Sequence, residues 1–280
     1  MCVGLRQLRP TLFSSQRSYE MTEPLNLAIA DGVATITLDQ AKRGNPIDAP
    51  FAVALGKALD TIEADDSVRA ILIRADGNNF SFGGDLKAML AGGSVKANIK
   101  EILDAFNPAL TRLWALGIPV VAQAQGFCVG GGLGLVSNAD VIVAGEGTKF
   151  GAAFAGIAGV NDSGSTWGMA ARVGIAKARK FFLLNETWTA QQALENGLAD
   201  IVVADDEIAE TAEKLVAKLA AGPTLSYRGI KDAFRQMSAR TLADSAQTEA
   251  DNFLICADGT DLNEGINALL EKRKPNFVGR

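Results

Sequence analysis

The sequence predicts an α/β fold. Between residues 25 and 144, short runs typical of buried strands alternate with segments of helical spacing, and glycine-rich loops follow the strand runs. The remainder of the chain is mostly helical in pattern. With 280 residues, of which 48% are hydrophobic and 21% charged, the chain is long enough to bury a sizeable core.

Each predicted element rests on a local pattern. Two apolar runs flank Asp31-Gly32 and predict a β-hairpin, because this dipeptide favours the tight turn that joins two strands. Apolar residues at helical spacing predict helices at 50–64 and 95–116. Apolar runs predict strands. In chain order these are 25–30, 33–39, 68–74, 120–124 and 140–144, with a glycine-rich turn into an apolar helix at 126–134.

From residue 177 onward the chain is predicted to be mostly helical. Its predicted helices are 177–184, 190–196, 207–221, 225–238, 242–257 and 262–272. Gly222-Pro223 interrupts this pattern and predicts a boundary. We therefore expect a core at 21–222 and a helical oligomerisation or lid segment at 223–280. Residues 1–20, rich in arginine and poor in acids, predict a disordered extension; the alternative is an organelle transit signal.

Composition and charge exclude several function classes. A net charge of −5 argues against a nucleic-acid binder, and no apolar run is long enough to predict a membrane span. The chain has no histidine, which excludes Ser-His-Asp and Cys-His catalysis and most zinc sites, so no metal is expected. Three widely spaced cysteines favour a reducing, cytoplasmic compartment over a disulfide framework.

Two glycine-rich motifs predict places where backbone N–H groups approach a ligand. The first, Phe-Ser-Phe-Gly-Gly-Asp-Leu-Lys at 80–87, follows a strand and precedes a helix; the alternative is an ordinary turn in which Asp85 caps that helix. The second, at 118–134, leads through a glycine turn into a helix whose first N–H groups lack intrahelical partners; the alternative is close helix packing through small residues. Together the motifs predict two donors for one carbonyl oxygen.

In this order and spacing, the motifs resemble those of the crotonase (enoyl-CoA hydratase/isomerase) superfamily. The resemblance runs from about 25 to 280 and includes Arg-Gly-Asn-Pro at 43–46, Asn-Ala-Asp at 138–140 and Glu-Lys-Arg-Lys-Pro-Asn-Phe at 271–277. It implies a spiral of ββα units with a C-terminal helical segment, a homotrimer or dimer of trimers, and an acyl-CoA thioester as ligand. Coenzyme A is then part of the substrate, and no separate cofactor is expected.

The resemblance also implies roles for individual residues. Gly84 and Gly131 stand where the family has the two N–H donors that stabilise a thioester enolate. The positions that resemble substrate contacts are Arg43, Phe82, Lys87, Phe154 and Lys274. For the three basic residues, the alternative is solvated surface charge.

Hydratases of this family use two glutamates, and this chain has neither. One lies two residues after the triple glycine, where this chain has Gly134. The other closes a Phe-Gly-x-x-Glu segment, where this chain has Phe154. Addition of water needs one group to activate the water and another to deliver a proton, so ordinary hydration is not expected.

Asp162 is the acid that remains in this region. Segment 154–167 resembles family members that isomerise double bonds or rings with a single carboxylate, although Asn161 stands where they have proline. The apolar residues nearby predict a poorly solvated carboxylate with a raised pKa, which makes a better base. The alternative is that Asp162 caps a helix that starts near Ser163.

The sequence thus predicts an acyl-CoA-binding enzyme, with enoyl-CoA isomerisation by Asp162 as the first hypothesis. A second hypothesis is another reaction on the same pair of N–H donors, such as hydration, thioester hydrolysis or carbon–carbon cleavage. A third is a non-catalytic acyl-CoA-binding protein.

Overall fold

The computed structural model describes residues 17–19, 24–222, 224, 227–231 and 241–275. The strands are β1 Arg17–Tyr19, β2 Leu25–Ala30, β3 Val33–Leu38, β4 Ala70–Ala75, β5 Val120–Ala124, β6 Phe127–Val129, β7 Val141–Gly145, β8 Lys149–Gly151, β9 Thr187–Thr189 and β10 Ile201–Val203. The α-helices are α1 Ala49–Glu63, α2 Leu86–Leu90, α3 Val95–Ala115, α4 Gly131–Ser137, α5 Ser165–Val173, α6 Ile175–Leu183, α7 Ala190–Asn196, α8 Ile208–Ala220, α9 Leu242–Asp258 and α10 Asp261–Leu270. Short 3-10 turns span Ala41–Arg43 and Ala155–Ile157.

A seven-stranded sheet, in the order β1-β2-β3-β4-β5-β7-β10, forms the centre of the fold. Strands β2 and β3 pair antiparallel across Asp31 and Gly32, whose φ angles of 50° and 77° confirm the predicted tight turn. From β3 to β10 the neighbouring strands are parallel. The central strands β4, β5 and β7 are almost entirely buried, which accounts for their continuous apolar sequences.

Helices cover both faces of this sheet. On one face α1 packs against α3, where the ring centroids of Phe51 and Phe106 lie 6.1 Å apart. On the other face α8 buries Ile208, Ala212 and Val216 against the sheet. The covered sheet confirms the α/β fold class that the alternation of patterns predicts.

A second, three-stranded sheet in the order β6-β8-β9 lies beside the first. Its three strands lie in segments for which the sequence patterns predict no strand. Strands β6, β8, β9 and β10 have three residues each, which is too short for an alternating pattern to stand out. After residue 177 the sequence predicts a mostly helical chain, and β9 and β10 fall between the predicted helices, where no strand is expected; β10 belongs to the main sheet.

The C-terminal helices pack onto the core within the chain. Helix α9 lies against α3, and α10 lies against the 3-10 turn Ala155–Ile157. The contact with α10 is close: a Cβ on Gly265 would lie 2.5 Å from the backbone of Ile157. Residues 227–231 of the predicted helix at 225–238 are helical, and the rest of that segment lies outside the described parts of the chain.

Near the N-terminus, Arg17–Tyr19 forms strand β1 and pairs antiparallel with β2. Disorder over the whole of 1–20 is therefore a wrong prediction for these three residues, because an edge strand with free backbone groups can pair with even a short segment. Residues 1–16 and 20–23 lie outside the described parts of the chain. Among the described helices, none is long and apolar enough to cross a membrane.

Candidate active site

The two glycine-rich motifs run side by side. Ser81 pairs in parallel with Cys128: its N–H donates to the carbonyl of Phe127 at 3.0 Å, and its carbonyl accepts from the N–H of Val129 at 3.0 Å. Both segments then turn, the first toward α2 and the second toward α4. Backbone pairing between the segments therefore fixes the distance between the turns that follow them.

At both turns a glycine adopts a backbone conformation that other residues avoid. Gly83 has φ 84° and Gly130 has φ 55°. The turns also touch, since a Cβ on Gly83 would lie 3.1 Å from the carbonyl oxygen of Val129 and 3.3 Å from the nitrogen of Gly131. A side chain at position 83 would therefore force the two turns apart.

These turns present two unpaired backbone donors. Gly131 is the first residue of α4, where an N–H group has no intrahelical acceptor. Among the described residues, neither its N–H group nor that of Gly84 has a protein acceptor. Buried N–H groups without a partner are rare, and at a helix N-terminus they favour negative charge. Such a pair suits an oxygen that becomes an anion.

Asp162 lines the same cavity as the two glycine turns. It is 8% exposed, and its Oδ1 accepts a hydrogen bond from the Ser163 hydroxyl at 2.7 Å. Helix α5 begins at Ser165, with Gly164 as its N-cap and no side-chain cap. The alternative that Asp162 caps this helix is therefore wrong. Asn161, in the place of the family's proline, donates to the hydroxyl of Thr166 in the first turn of α5.

Burial makes Asp162 a proton acceptor near neutral pH. Loss of solvation disfavours its charged form and raises its pKa from 3.8 to about 6, while the hydrogen bond from Ser163 opposes this rise. A carboxylate with a pKa near 6 is still ionised at pH 7 and binds a proton more readily than an exposed aspartate. This environment confirms the poorly solvated carboxylate that the sequence predicts.

One cavity of about 90 Å³ brings most of the predicted site residues together. Among the residues that line it, Asp162 is the only titratable one in the described part of the chain. The lining residues are Ile47, Phe82, Gly84, Leu86, Met89, Ile102, Leu103, Gly130, Gly131, Ala153, Phe154, Ile157, Asp162, Ser163, Phe253 and Leu269. The arrangement is a single base and two N–H donors in apolar surroundings.

The two positions that carry glutamates in hydratases are closed to them in this chain. A Cβ on Gly134 would lie 2.4 Å from the backbone oxygen of Ser163, so even alanine does not fit without movement of this loop. Phe154 is buried, and its ring lies 6.2 Å from that of Phe182. An ionised side chain at position 154 would replace an apolar contact with a buried charge.

Arg43 lies beside the cavity and binds acidic residues of the same chain. Its guanidinium donates to the carboxylates of Asp48 at 2.9 Å and Asp85 at 2.7 Å. The bond to Asp85 raises the pKa of Arg43 further above its usual value. Asp48 caps α1 and Asp85 caps α2, so Arg43 connects the starts of these two helices. The start of α2 follows directly after Gly84. The Asp85 cap, which belongs to the alternative interpretation of the first motif, is thus present beside the unpaired N–H group of Gly84. Contact of Arg43 with coenzyme A stays a prediction.

The other predicted basic contacts lie outside the cavity. Lys87 and Lys274 are exposed, and neither lines it. Their roles in binding coenzyme A phosphates stay predictions. Among the described residues there is also no group of three or more histidine, cysteine or acidic side chains arranged to hold a metal ion.

Sequence reasoning missed several residues of this cavity. Ser163 was visible only as the neighbour of Asp162, and nothing in its position predicts the hydrogen bond. Met89 packs its methyl group where a side chain on Gly84 would lie. Phe253 and Leu269 come from α9 and α10, and no local pattern predicts that these helices reach a site whose other lining residues lie between 47 and 163.

Comparison with known proteins gives a consistent result. The family profile described as enoyl-CoA hydratase/isomerase matches residues 28–280. A 1,2-epoxyphenylacetyl-CoA isomerase of Escherichia coli K12 is 31% identical over 90% of this chain and 97% of its own. A probable enoyl-CoA hydratase of Rhodobacter capsulatus is 32% identical over 90% of this chain and 96% of its own.

The fold agrees as well. The crystal structure of an enoyl-CoA hydratase from Mycobacterium avium subsp. paratuberculosis K-10 superposes with a TM-score of 0.81 and 28% identity, covering 92% of this chain and all of that one. Names of both isomerases and hydratases thus occur among proteins similar to this one. Because the family profile covers most of the chain, this chain belongs to the enoyl-CoA hydratase/isomerase family of the crotonase superfamily. This family acts on acyl-CoA thioesters.

Proposed function

We propose that this protein is an enoyl-CoA isomerase with Asp162 as its only acid–base group. One observation carries the proposal: Asp162 shares an apolar cavity with the unpaired N–H groups of Gly84 and Gly131, and no other titratable side chain among the described residues lines it. A reaction that needs one proton carrier and one stabilised oxyanion fits this set of groups. A reaction that needs two acid–base groups does not.

The proposed reaction moves a double bond along the acyl chain. With a 3-enoyl thioester, ionised Asp162 removes a proton from C2, and the electron pair of the C–H bond forms a dienolate whose negative charge lies largely on the thioester oxygen. The N–H groups of Gly84 and Gly131 stabilise that oxygen. Asp162 then returns the proton to C4, which leaves a 2-enoyl thioester and regenerates the carboxylate. No atom is gained or lost.

The walls of the cavity support an apolar acyl group. Apart from Asp162 and Ser163, its lining side chains are aliphatic, aromatic or thioether groups, or absent in glycine. A second carboxylate or a quaternary ammonium on the acyl chain would lose its solvation here without an ion-pair partner. We therefore expect simple aliphatic or aromatic enoyl thioesters to react, and charged ones to be poor substrates.

The experiment is deuterium incorporation from D₂O into 3-enoyl-CoA and 2-enoyl-CoA thioesters, followed by mass spectrometry. The unmodified protein should shift the double bond, with activity that rises as the pH increases through about 6 because Asp162 must be ionised. Asp162→Ala should lose about a hundred- to ten-thousandfold of this rate, the usual contribution of a general base. Binding of coenzyme A thioesters, followed by calorimetry, should be retained.

Glu146→Ala is the matched control, because Glu146 is an exposed carboxylate that does not line the cavity. It should keep full activity. Isomerisation by Asp162→Ala at the unmodified rate would refute the proposal. Water addition by the unmodified protein would favour the hydratase alternative, and binding without any exchange would favour the non-catalytic one.

A further inference from the structure

Ser163 is the hydrogen-bond donor to the Asp162 carboxylate. Its Oγ lies 2.7 Å from Oδ1, and within the described residues Oδ2 accepts no hydrogen bond. Ser163 is itself 3% exposed and lines the same cavity. The two oxygens of the carboxylate are therefore in different environments, one bound and one free.

The backbone at Ser163 makes this donor unexpected. Its φ is 56°, in the left-handed region, and Gly164 follows with φ 70°. Glycine adopts such an angle freely, whereas a residue with a Cβ does so at a cost of about 1 kcal/mol or more. Backbone geometry alone would therefore favour glycine at 163, and the presence of serine points to a use for its hydroxyl.

Ser163 also contacts the helix that bears the oxyanion donor. A Cβ on Gly131 would lie 3.3 Å from the Ser163 Oγ, and a Cβ on Gly134 would lie 2.8 Å from the Ser163 Cβ. The serine is thus packed against the first turn of α4 and bonded to Asp162 at the same time. Its position links the wall that stabilises the enolate to the wall that carries the base.

We infer that Ser163 is a positioning residue that holds Asp162 by Oδ1, so that Oδ2 is the oxygen that takes and returns the substrate proton. The inference rests on the proposed isomerase function. The hydroxyl donates to the charged carboxylate and so favours its ionised form. It also keeps the carboxylate from rotating, which fixes the acceptor oxygen relative to the N–H groups of Gly84 and Gly131.

The test is to compare Ser163→Ala and Ser163→Gly with the unmodified protein. Alanine removes the hydroxyl but keeps the strain of a Cβ at positive φ. Glycine removes both the hydroxyl and that strain. Each variant should raise the midpoint of the pH–rate profile by about one pH unit, because both lose the same hydrogen bond to a charged group. Such a move lowers the ionised fraction at pH 7 about twofold, and the rest of an expected loss of about tenfold in kcat comes from a carboxylate that is free to rotate. A carboxyl-labelled ¹³C NMR titration of Asp162 should show the same upward move without any need for turnover.

Ser165→Ala is the matched control. Ser165 is also buried, two residues along the chain, but its hydroxyl has no hydrogen-bond partner within the described residues. Its replacement should leave both titrations unchanged. An unchanged Asp162 titration in both position-163 variants would overturn the inference, as would an equal move in Ser165→Ala.

Failure of the proposed function has a separate signature, since it is read from Asp162→Ala. An inactive Asp162→Ala together with an unmoved titration in the Ser163 variants refutes the positioning role and leaves the isomerase. An active Asp162→Ala refutes the isomerase mechanism whatever the Ser163 variants do. Thermal unfolding of each variant separates a lost hydroxyl from a lost fold.

Discussion

The two walls of the cavity differ in backbone conformation. We call the turns at 83–84 and 130–131 the oxyanion wall, and the segment 153–163, which contains Asp162, the base wall. On the oxyanion wall, the residues with positive φ are glycines, Gly83 and Gly130. On the base wall, Ala153, Ala158 and Ser163 have side chains at positive φ, and only Gly164, which follows Ser163, is a glycine in that region. The first wall obtains its geometry at little conformational cost, whereas the second stores strain in the segment that carries Asp162.

This difference shows which chemical groups each wall has to keep in place. The oxyanion wall uses main-chain groups, so its chemistry depends on backbone angles and close approach that only glycine allows. The base wall uses a side chain, and the surrounding packing keeps its strained angles in place. A change at a glycine should therefore affect catalysis through lost donors or lost space, while a change on the base wall should trade stability against activity.

On the oxyanion wall, the largest effect should come from removing a donor. Gly131→Pro lacks the N–H group, and proline is well tolerated at the first position of a helix. We expect kcat to fall by about a hundred- to a thousandfold, the usual result of losing one oxyanion donor. Steady-state isomerisation kinetics measure this.

Gly131→Ala controls for crowding, since its Cβ would meet Ile47 at 3.2 Å and the Ser163 hydroxyl at 3.3 Å while its N–H group remains. If the alanine and proline variants have equal kcat, the N–H group of Gly131 is not a catalytic donor and the comparison between the walls fails.

On the base wall, Asp162→Asn should abolish activity and increase stability. The native carboxyl has a pKa of about 6 against 3.8 for an exposed one, so the folded protein holds a proton more tightly than the unfolded chain does. Stability is then lost as the pH rises through this window, by about 3 kcal/mol in total. Asparagine carries no charge, so its free energy of unfolding should exceed that of the unmodified protein by up to about this amount at pH 8.

Urea unfolding at pH 8 and pH 4 measures the difference, which should shrink at the lower pH. Asp66→Asn, which alters an exposed carboxylate, should leave the free energy of unfolding unchanged at both. Equal free energies of unfolding for Asp162→Asn and the unmodified protein at pH 8 would mean that burial of the charged carboxylate carries no cost. That result would contradict the prediction.

The smallest expected effect is a change in the free energy of unfolding that has opposite signs on the two walls. Ala158 ends a 3-10 turn with φ 58° and ψ 24°, a conformation that glycine adopts more easily. Ala158→Gly should raise the free energy of unfolding by about 0.5–1 kcal/mol, because relief of strain exceeds the added entropy of the unfolded chain. Gly83→Ala should lower it. Thermal unfolding measures both.

Ala155→Gly is the control within the same turn. Ala155 is exposed and is not among the residues with positive φ. Glycine there should cost about 0.5–1 kcal/mol. Destabilisation by Ala158→Gly to the same extent would show that the left-handed angle at 158 carries no strain.

The two walls also differ in how far the sequence predicts them. The hairpin at Asp31-Gly32 and the paired motifs that contain Gly84 and Gly131 were predictable, because positive φ and close backbone approach restrict the choice to few residue types. Asp162 was identified through family resemblance and the absence of other acids nearby. The hydrogen bond from Ser163 was not predictable. A serine in a sequence does not indicate a positive φ angle, so the direction of its hydroxyl could not be inferred.

Other features depend on contacts between distant segments. Strand β10 joins the main sheet only because β7 offers it an edge, and three residues are too few to show a period. The intramolecular ion pairs of Arg43 with Asp48 and Asp85 likewise follow from the meeting of two helix starts. In each case the partner, and not the residue itself, decides the structure.

The close approach of Gly265 to Ile157 makes the C-terminal helices a structural part of the base wall. Helix α10 can seat against the 3-10 turn at this depth because position 265 has no side chain. Proteolytic removal of the last two described helices would therefore take Phe253 and Leu269 out of the cavity and uncover the turn that precedes Asp162. For anyone who trims or fuses this chain at its C-terminus, the last two described helices are part of the walls of the candidate site and should be kept intact.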